Sequence, residues 1–360
     1  MDINLILVIN PGSTSTKIAV FNRSEVIFQK NIHHTIEDLS PYPNITSQYQ
    51  FRKEVILNEL ENYCKECNFR EIKIIVGRGG LLKPVPSGVI EVNERLLHDL
   101  KNNTIREHAS NLGGLIAADI ADSLSGAKAY IADPVVVDEF EEISRISGHP
   151  LFERKSILHT LNQKAVARLH SKTINRKYEE LNLIVAHLGG GITVGAHHKG
   201  RIIDVNQGLD GEGPFSPERS GTLPVGDMVR LCFSGQYTMD QILKMITGKG
   251  GLVAYLGTNS AIEVEKMIES GNKKARLIYE AMAYQVAKSI GEMAVVLKCD
   301  VDAILITGGV AYSNYIVNFI TSMVSKISKV FVYPGEDEMQ ALAMNGLMVL
   351  TGEAKIIEYK

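Results

Sequence analysis

The sequence lacks the features of a membrane protein, a signal peptide and a nucleic-acid binder. No apolar run approaches the ~20 residues that span a bilayer. The apolar stretch at residues 5–9 has neither a basic lead nor a cleavage site, so it predicts a strand. The net charge is only −3, and no basic run is long enough to follow a phosphate backbone. We therefore expect a soluble, cytoplasmic protein that binds neither membranes nor nucleic acids.

Cysteine is also scarce, with 4 in 360 residues. Cys64 and Cys67 form one CxxC pair, but a zinc site needs a second pair of ligands at a comparable spacing, and none stands near. We interpret the pair as ordinary thiols of a reducing compartment, with metal or redox use as the open alternative.

Two common nucleotide-binding patterns are missing. Neither GxxxxGK[ST] nor GxGxxG occurs, which argues against P-loop and Rossmann proteins. The composition is that of a globular protein, with 45% hydrophobic and 22% charged residues. A chain of 360 residues fits two domains.

An internal repeat is present. Residues 5–27 and 183–203 each read as an apolar strand, a turn rich in Gly, Ser or Thr, a second strand, a polar turn and a third strand. We predict duplicated α/β domains that face each other across a ligand cleft, with a chance likeness of two β-meanders as the alternative. The predicted domains are residues 1–154, joined by a C-terminal helix at about 340–360, and residues 155–339. Further predicted helices cover 52–63, 109–124, 273–297, 314–327 and 339–350, and further strands 72–76, 128–131, 303–306 and 330–332.

The Gly-rich turns stand at equivalent positions of the repeat. Successive backbone amides in such turns form nests that suit a di- or triphosphate, whereas plain tight hairpins are the alternative for either turn alone. A third Gly-rich segment follows the predicted strand at 303–306, where the base or ribose of a nucleotide usually rests. The candidate nucleotide-binding residues are Gly12, Ser13, Thr14 and Lys17 in the first turn, Gly189, Gly190 and Gly191 in the second, and Gly308 and Gly309 in the third.

Seven segments in register resemble the acetate kinase family. They are VINPGSTSTK (8–17), VGRGG (76–80), ADP (132–134), HLGGG (187–191), PERSGTLPVGD (217–227), ITGGV (306–310) and GEDEMQALA (335–343). The likeness spans nearly the whole chain. It implies duplicated, ribonuclease H-like domains of the type shared with sugar kinases, actin and the large heat-shock ATPases, and it implies a homo-oligomer.

The resemblance also implies a reaction, namely reversible in-line transfer of the γ-phosphoryl group of ATP to a carboxylate oxygen. The implied catalytic residues are Arg78, Asp133, His159 and Arg219. Asn10 and His187 would join the phosphate-binding residues, and Asp133, Glu338 and Asn10 would organise Mg²⁺.

The chemistry agrees with these residue types. Phosphoryl transfer depends on positioning and charge neutralisation, for which arginine forks are suited. A carboxylic acid with a pKa near ~4–5 is already ionised at neutral pH, so no general base is needed. Two arginines favour an anionic acceptor without excluding a hydroxyl.

Each residue has a structural alternative. Arg78 and Arg219 could be turn or loop residues, Asp133 a helix cap and Glu338 a favourable charge at a helix N-terminus. His159 and His108 could be partly buried histidines, and the role of His108 stays open. We interpret His33, His34, His197 and His198 as structural.

The resemblance further implies the size of the acid. Gly80 replaces a bulky aliphatic residue that faces the methyl group in acetate kinases, and Leu158 replaces an aromatic residue. Both changes would enlarge the pocket, although one methylene changes discrimination by only ~1–3 kcal/mol. We therefore expect butyrate or a branched short-chain fatty acid as acceptor.

Three alternatives stay open. An acetate or propionate kinase of the same family would keep the mechanism and change the pocket. A sugar or polyol kinase would need a polar pocket. An actin-like filament or chaperone-type ATPase would hydrolyse ATP without an acceptor, and fold alone does not decide among these.

Overall fold

The computed structural model of the chain describes residues 5–63, 68–102 and 108–360. The CxxC pair, Cys64 and Cys67, lies outside the described residues. The fold divides into two units, one formed by Met1–Val137 with Asp337–Lys360 and the other by Asp138–Glu336. Among the described residues, no helix has the length and apolar character needed to cross a membrane.

Unit 1 is built on a seven-stranded sheet. Its strands are β1 (Leu5–Pro11), β2 (Ser15–Asn22), β3 (Glu25–His33), β4 (Ile72–Arg78), β5 (Val89–Glu91), β6 (Lys128–Ala132) and, near the C-terminus, β12 (Ile356–Glu358). Its helices are α1 (Ile36–Leu39), α2 (Tyr49–Tyr63), α3 (Glu94–Lys101), α4 (Asn111–Ser123) and α13 (Glu338–Leu350).

The strand order of unit 1 is β12-β5-β6-β4-β1-β2-β3. Strands β1, β2 and β3 form the predicted antiparallel meander, with Ile9 opposite Ile18. Strand β1 then pairs in parallel with β4, and β4 with β6. Every residue of β1 is buried, because α4 and α13 both pack against the central strands. A strand covered on both faces reads as a continuous apolar run and does not alternate.

Unit 2 is built on a five-stranded sheet. Its strands are β7 (Asn182–Leu188), β8 (Ile192–His198), β9 (Arg201–Val205), β10 (Ala303–Gly308) and β11 (Val330–Pro334). Its helices are α5 (Glu142–Arg145), α6 (Thr160–Thr173), α7 (Val225–Cys232), α8 (Met239–Ile246), α9 (Gly251–Leu256), α10 (Ala261–Glu269), α11 (Lys273–Val296) and α12 (Asn314–Val324).

The order β9-β8-β7-β10-β11 repeats the order β3-β2-β1-β4-β6 of unit 1. The meander β7-β8-β9 is antiparallel, and β10 and β11 add in parallel. The predicted repeat is therefore confirmed in pairing as well as in order. Helix α11 packs on β7 and β8, and α6 packs on β7 and β10, which buries the apolar strands of this sheet.

The division between the units lies at Val137/Asp138, upstream of the predicted boundary between residues 154 and 155. The segment that begins at Asp337 returns to unit 1, where α13 packs on β1 and β4 and β12 extends the sheet beside β5. Helices α7 to α10, inserted between β9 and α11, are not predicted by the sequence patterns.

Candidate active site

Three candidate residues of unit 1 meet at one edge of its sheet. Asn10 lies at the end of β1, Arg78 at the end of β4, and Asp133 directly after β6. These strands are parallel neighbours, so their carboxyl ends share an edge. Ligands of α/β sheets bind at this edge. Lys17 is exposed on β2 opposite Asn10, and directly opposed side chains point to the same face.

Arg78, Asn10 and Glu338 form one connected group. Arg78 Nη1 donates to Glu338 Oε2 at 2.5 Å and to Asn10 Oδ1 at 3.4 Å. Asn10 Nδ2 donates to the same carboxylate oxygen at 2.7 Å. Glu338 is the first residue of α13, so the packing of that helix against β1 and β4 brings it to Arg78 across 260 positions of sequence.

Asp133 is buried and has a left-handed backbone conformation, with φ +39°. Such a conformation is unfavourable for a residue with a Cβ and is often found at functional sites. Ser87 Oγ and the Gly88 amide donate to Asp133 Oδ1 at 2.7 and 2.8 Å. These two donors fix the carboxylate at the strand end.

The acidic groups of unit 1 suit Mg²⁺. Among the described residues, no three His, Cys, Asp or Glu side chains are grouped to hold a metal. Magnesium does not need such a group, because it keeps several waters and takes only one or two carboxylates beside substrate phosphates. Asp133 follows β6, the parallel neighbour of β4, and Glu338 begins α13 and contacts Asn10 and Arg78. Unit 1 thus supplies two carboxylates, and the residue types present fit the ion.

The first Gly-rich turn is held from inside by Arg52, a residue that the sequence reasoning missed. The guanidinium is buried and donates to Gly12 O at 2.7 Å, to Ser13 O at 2.9 Å and to Ser15 O at 3.0 Å. The Gly12 amide closes the turn on Ser15 O at 2.7 Å. Arg52 donates to three carbonyl oxygens on the inner side of the turn. The exposed residues Ser13 and Thr14 therefore lie on its opposite side, which faces solvent.

Burial shapes the ionisation of this network. It lowers the pKa of Arg52 to about 10. Burial, with the nearby charge of Arg52, also lowers the pKa of His34 to about 4. His34 Nε2 lies 2.8 Å from Thr16 Oγ1, which in turn accepts from Arg52. His34 therefore stays neutral beneath the turn at physiological pH, in agreement with its interpretation as a structural residue.

The second Gly-rich turn carries Arg219. The turn closes from the Gly189 amide to Gly191 O at 3.0 Å. A Cβ added at Gly191 would overlap the guanidinium of Arg219, so glycine is required there for the arginine to lie on the backbone. Arg219 Nη1 also donates to Gly208 O. A Cβ at Gly190, by contrast, would be 3.6 Å from the nearest atom, in Glu218.

His159 and His187 are stacked beside this turn. Their ring centroids are 3.9 Å apart and the planes differ by 13°. His187 is buried on β7, with Nδ1 2.8 Å from Asn162 Oδ1 and Nε2 3.1 Å from Glu336 Oε1. His159 is half-buried at the start of α6. The structure therefore brings together three sequence-predicted groups, His159, His187 and the Gly189–Gly191 turn.

The third Gly-rich segment ends β10, the parallel neighbour of β7. Gly308 has φ +94°, and a Cβ there would lie 2.8 Å from the backbone nitrogen of Leu188. Gly309 is exposed, with no atom within 4 Å of an added Cβ. Both glycines lie at the sheet edge that bears the second turn.

Gly80 does not open a pocket in the predicted manner. A Cβ there would lie 2.7 Å from Asn111 Cα, so the space that glycine leaves is taken by the first turn of α4. Leu158 is buried in a small apolar cluster with Phe140, Ile202 and Val205. The reason for glycine at position 80 is thus close packing in unit 1.

The remaining histidines take part in local contacts. His108 is exposed, and its Nδ1 lies 2.7 Å from Ser110 Oγ. His33 Nε2 lies 3.2 Å from Asn31 Nδ2, and His198 Nδ1 2.9 Å from Asn182 Oδ1. His197, by contrast, belongs to a buried chain of hydrogen bonds that ends at His159.

Comparison with known proteins gives one family. The profile of the Acetokinase family matches residues 151–332. Butyrate kinase 2 of Clostridium acetobutylicum is 56% identical over 355 residues, which cover 99% of this chain and 99% of that protein. An acetate kinase structure from Porphyromonas gingivalis has a TM-score of 0.79 at 19% identity, covering 96% of this chain and 100% of that chain. A propionate kinase structure from Francisella tularensis has a TM-score of 0.76 at 19% identity, covering 95% and 98%. These likenesses confirm the predicted duplicated α/β fold.

Proposed function

Because the chain belongs to the acetokinase family, we propose that it transfers the γ-phosphoryl group of ATP to the carboxylate of butyrate, reversibly, to give the acyl phosphate. The observation that carries this function is the 56% identity to a butyrate kinase along 99% of both chains. A carboxylate kinase needs cationic groups and backbone amides that bind anions. Unit 1 offers Arg78 and the first Gly-rich turn, and unit 2 offers Arg219 and the second Gly-rich turn.

The Gly-rich turns and the residues at the strand ends have different roles in this proposal. Amides of the Gly12–Thr14 and Gly189–Gly191 turns, with Lys17, bind phosphate oxygens. Gly308 and Gly309 let the nucleoside approach backbone. Arg78 and Arg219 neutralise the equatorial oxygens and orient the carboxylate, for which a planar guanidinium is suited. His159 lies beside the transferring group, and His187 supports the ring of His159 by stacking on it.

Mg²⁺ would be held by Asp133 and Glu338, with Asn10 beside them. When bound, the ion neutralises phosphate charge. Glu338 accepts hydrogen bonds from Arg78 and Asn10 in this structure, so one of the two proposed magnesium carboxylates is in direct contact with the arginine. The acceptor acid is ionised at neutral pH, and the reaction therefore needs no general base from the protein.

Trapping the product tests the function. The purified protein is incubated with ATP, Mg²⁺ and hydroxylamine, and with acetate, propionate, butyrate, isobutyrate, valerate or glycerol. Hydroxylamine converts an acyl phosphate into a coloured hydroxamate. We expect the highest rate with butyrate or isobutyrate, and a large loss in the Arg78→Lys variant, which keeps the charge but loses the planar fork. ADP release without hydroxamate from any acid would overturn the proposal, and a peak at acetate would keep only the reaction type.

We also infer a cytoplasmic homo-oligomer. Cys232 and Cys299 are free thiols, as is usual in a reducing compartment. Helices α7 and α8, with the residue that follows α7, expose large apolar side chains at successive turns, which supports the inference of an interaction surface. These side chains are Val225, Val229, Phe233, Met239 and Leu243. Light scattering is expected to give a multiple of the 39.6 kDa chain mass, reduced by Phe233→Lys, and a wild-type monomer would overturn the inference.

A further inference from the structure

A chain of buried hydrogen bonds runs from His159 into the core of unit 2. His159 Nδ1 lies 2.9 Å from Thr193 Oγ1 on β8, and Gln163 Nε2 lies 2.9 Å from the same oxygen. Gln163 Oε1 lies 2.9 Å from His197 Nε2, and His197 Nδ1 lies 2.7 Å from the Tyr178 hydroxyl. Thr193, Gln163 and His197 have no exposed surface. Their hydrogen bonds must therefore be satisfied within the chain.

One member of the chain has a fixed orientation. Gln163 Nε2 is also 3.1 Å from the backbone carbonyl oxygen of Thr193. A carbonyl oxygen only accepts, so the amide nitrogen, and not the amide oxygen, must face it. The two orientations of a glutamine amide usually have to be inferred from such partners. Here both amide hydrogens go to Thr193, and Gln163 Oε1 faces His197.

The direction of the remaining bonds follows from this orientation. Because Gln163 Oε1 accepts, His197 carries its proton on Nε2, and its Nδ1 accepts from Tyr178. Burial, together with Lys164 and Arg168, holds the pKa of His197 well below its usual value, which is consistent with a neutral ring. At the other end, the buried Thr193 hydroxyl contacts Gln163 Nε2 and His159 Nδ1 among the described side chains. The amide nitrogen only donates, so the ring nitrogen is the acceptor for the hydroxyl hydrogen of Thr193.

We propose that Thr193, Gln163 and His197 are positioning residues that hold His159 in one tautomer, with Nδ1 as acceptor and the proton on Nε2. This inference rests on the proposed function, in which His159 acts beside the transferring phosphoryl group. It assigns a role to His197, which sequence reasoning alone interprets as structural, and to Gln163 and Thr193, which no sequence motif marks.

The tautomer decides what the ring offers to a substrate. With the proton on Nε2, a neutral His159 donates a hydrogen bond from that edge. The opposite tautomer would direct a lone pair toward anionic oxygens, which repels them. The stack on His187 fixes the plane of the ring, while Thr193 fixes which nitrogen carries the proton. A third group that sets tautomer and orientation is a general feature of catalytic histidines.

Nitrogen NMR of protein labelled with ¹⁵N-histidine reads the tautomer directly. Signals of His159 are assigned by their loss in His159→Gln. In the wild type at neutral pH we expect an unprotonated Nδ1 and a protonated Nε2. Thr193→Val keeps the side-chain shape but removes the hydroxyl, so the two tautomers mix. Thr193→Ser keeps the hydroxyl and restores the wild-type pattern. Gln163→Glu replaces the donor by an acceptor, turns the Thr193 hydroxyl around and moves the proton of His159 to Nδ1.

Kinetics of the same variants test the consequence. We expect kcat for hydroxamate formation to fall roughly tenfold or more in Thr193→Val, with KM for butyrate nearly unchanged and kcat recovered in Thr193→Ser. A wild-type His159 with its proton on Nδ1, or a Thr193→Val variant with the wild-type tautomer, would overturn the inference. If Gln163→Glu does not fold, the Thr193 pair decides alone. The NMR result stands whether or not butyrate is phosphorylated, so a failure of the proposed function is seen separately as absence of hydroxamate in the wild type.

Discussion

Replacing Arg52 by methionine tests how the first Gly-rich turn is shaped. The variant keeps most of the buried side-chain volume but removes the donors to Gly12 O, Ser13 O and Ser15 O. Ser15 O retains the Gly12 amide as a partner, whereas Gly12 O and Ser13 O lose the donor that Arg52 supplies and have no such replacement among the hydrogen bonds described above. We expect the turn to relax and to lose the arrangement in which its amides are ready for a phosphate.

The size of the effect follows from two opposing contributions. An unsatisfied buried polar group costs about 1–3 kcal/mol, although water reaches the Ser13 end of the turn. Removing the guanidinium also removes the cost of burying a charge, a cost that lowers the pKa of Arg52 to about 10. The net loss in free energy of unfolding is therefore expected at about 1–3 kcal/mol. A relaxed turn must be ordered again on binding, so KM for ATP should rise by about tenfold.

Urea unfolding and steady-state kinetics with ATP as the varied substrate measure both quantities. Arg52→Lys keeps a positive charge without the planar fork and should give an intermediate KM. Lys53→Met serves as the control, because Lys53 is on the same helix and pairs with Asp119 at 2.8 Å without touching the turn. If Arg52→Met lowers stability but leaves KM for ATP at the wild-type value, Arg52 only stabilises unit 1 and the reasoning is refuted.

Three further predictions use the same assays. Gly191→Ala should displace the guanidinium of Arg219 and lower kcat for hydroxamate formation far more than Gly190→Ala, and equal losses would contradict the close approach at Gly191. Gly80→Ala should clash with α4 and lower the free energy of unfolding by about 1–3 kcal/mol without shifting the preferred acid toward acetate, whereas such a shift at wild-type stability would revive the pocket interpretation. The contribution of neutral His34 to the free energy of unfolding should be fully present above pH 6.5 and should decline as the pH falls toward about 4. In this range the unfolded chain protonates His34, whereas the folded chain keeps it neutral. His34→Asn should weaken the dependence of the urea midpoint on pH over this window. An unchanged pH dependence would exclude His34 as a source of acid sensitivity.

The sheets and the Gly-rich turns are predictable because their signals are local. A run of buried strand residues, a glycine cluster and a second strand follow each other within about twenty positions in both halves. Pairing of neighbouring strands then places Asn10, Arg78 and Asp133 at one edge without any further information. Arg78 and Glu338 are each marked by a motif, but their contact depends on the return of α13 to unit 1, which no local pattern states.

Arg52 could have been found from helix periodicity. Arg52, Ile56 and Leu60 are spaced by four residues, and all three are buried on one face of α2. A cation on an otherwise apolar stripe is rarely tolerated without strong acceptors nearby. That spacing was a signal for a buried arginine, although its acceptors, forty positions earlier in the chain, could not be deduced from it.

Gly80 shows that the sequence alone does not reveal why a glycine is present. The absence of a side chain can either open a pocket or admit a neighbouring element, and the sequence is identical in both cases. The structure decides between them because the first turn of α4 lies against the glycine. Gln163 and Thr193 were beyond reach for a similar reason, since their contact joins a helix and a strand that are 30 positions apart.

The duplicated turns are supported by arginines in two different ways. Arg52 lies inside unit 1 and binds carbonyl oxygens of its turn, with 1% of its surface exposed, so it cannot contact a phosphate and acts only through the shape and potential of the turn. Arg219 lies on the backbone of Gly191 and is half-buried, so part of its side chain is accessible beside the second turn. Replacing Arg52 should therefore raise KM for ATP, whereas replacing Arg219 should reduce kcat. Of the two, only Arg219 can interact directly with the charge that develops on the transferring group in the transition state.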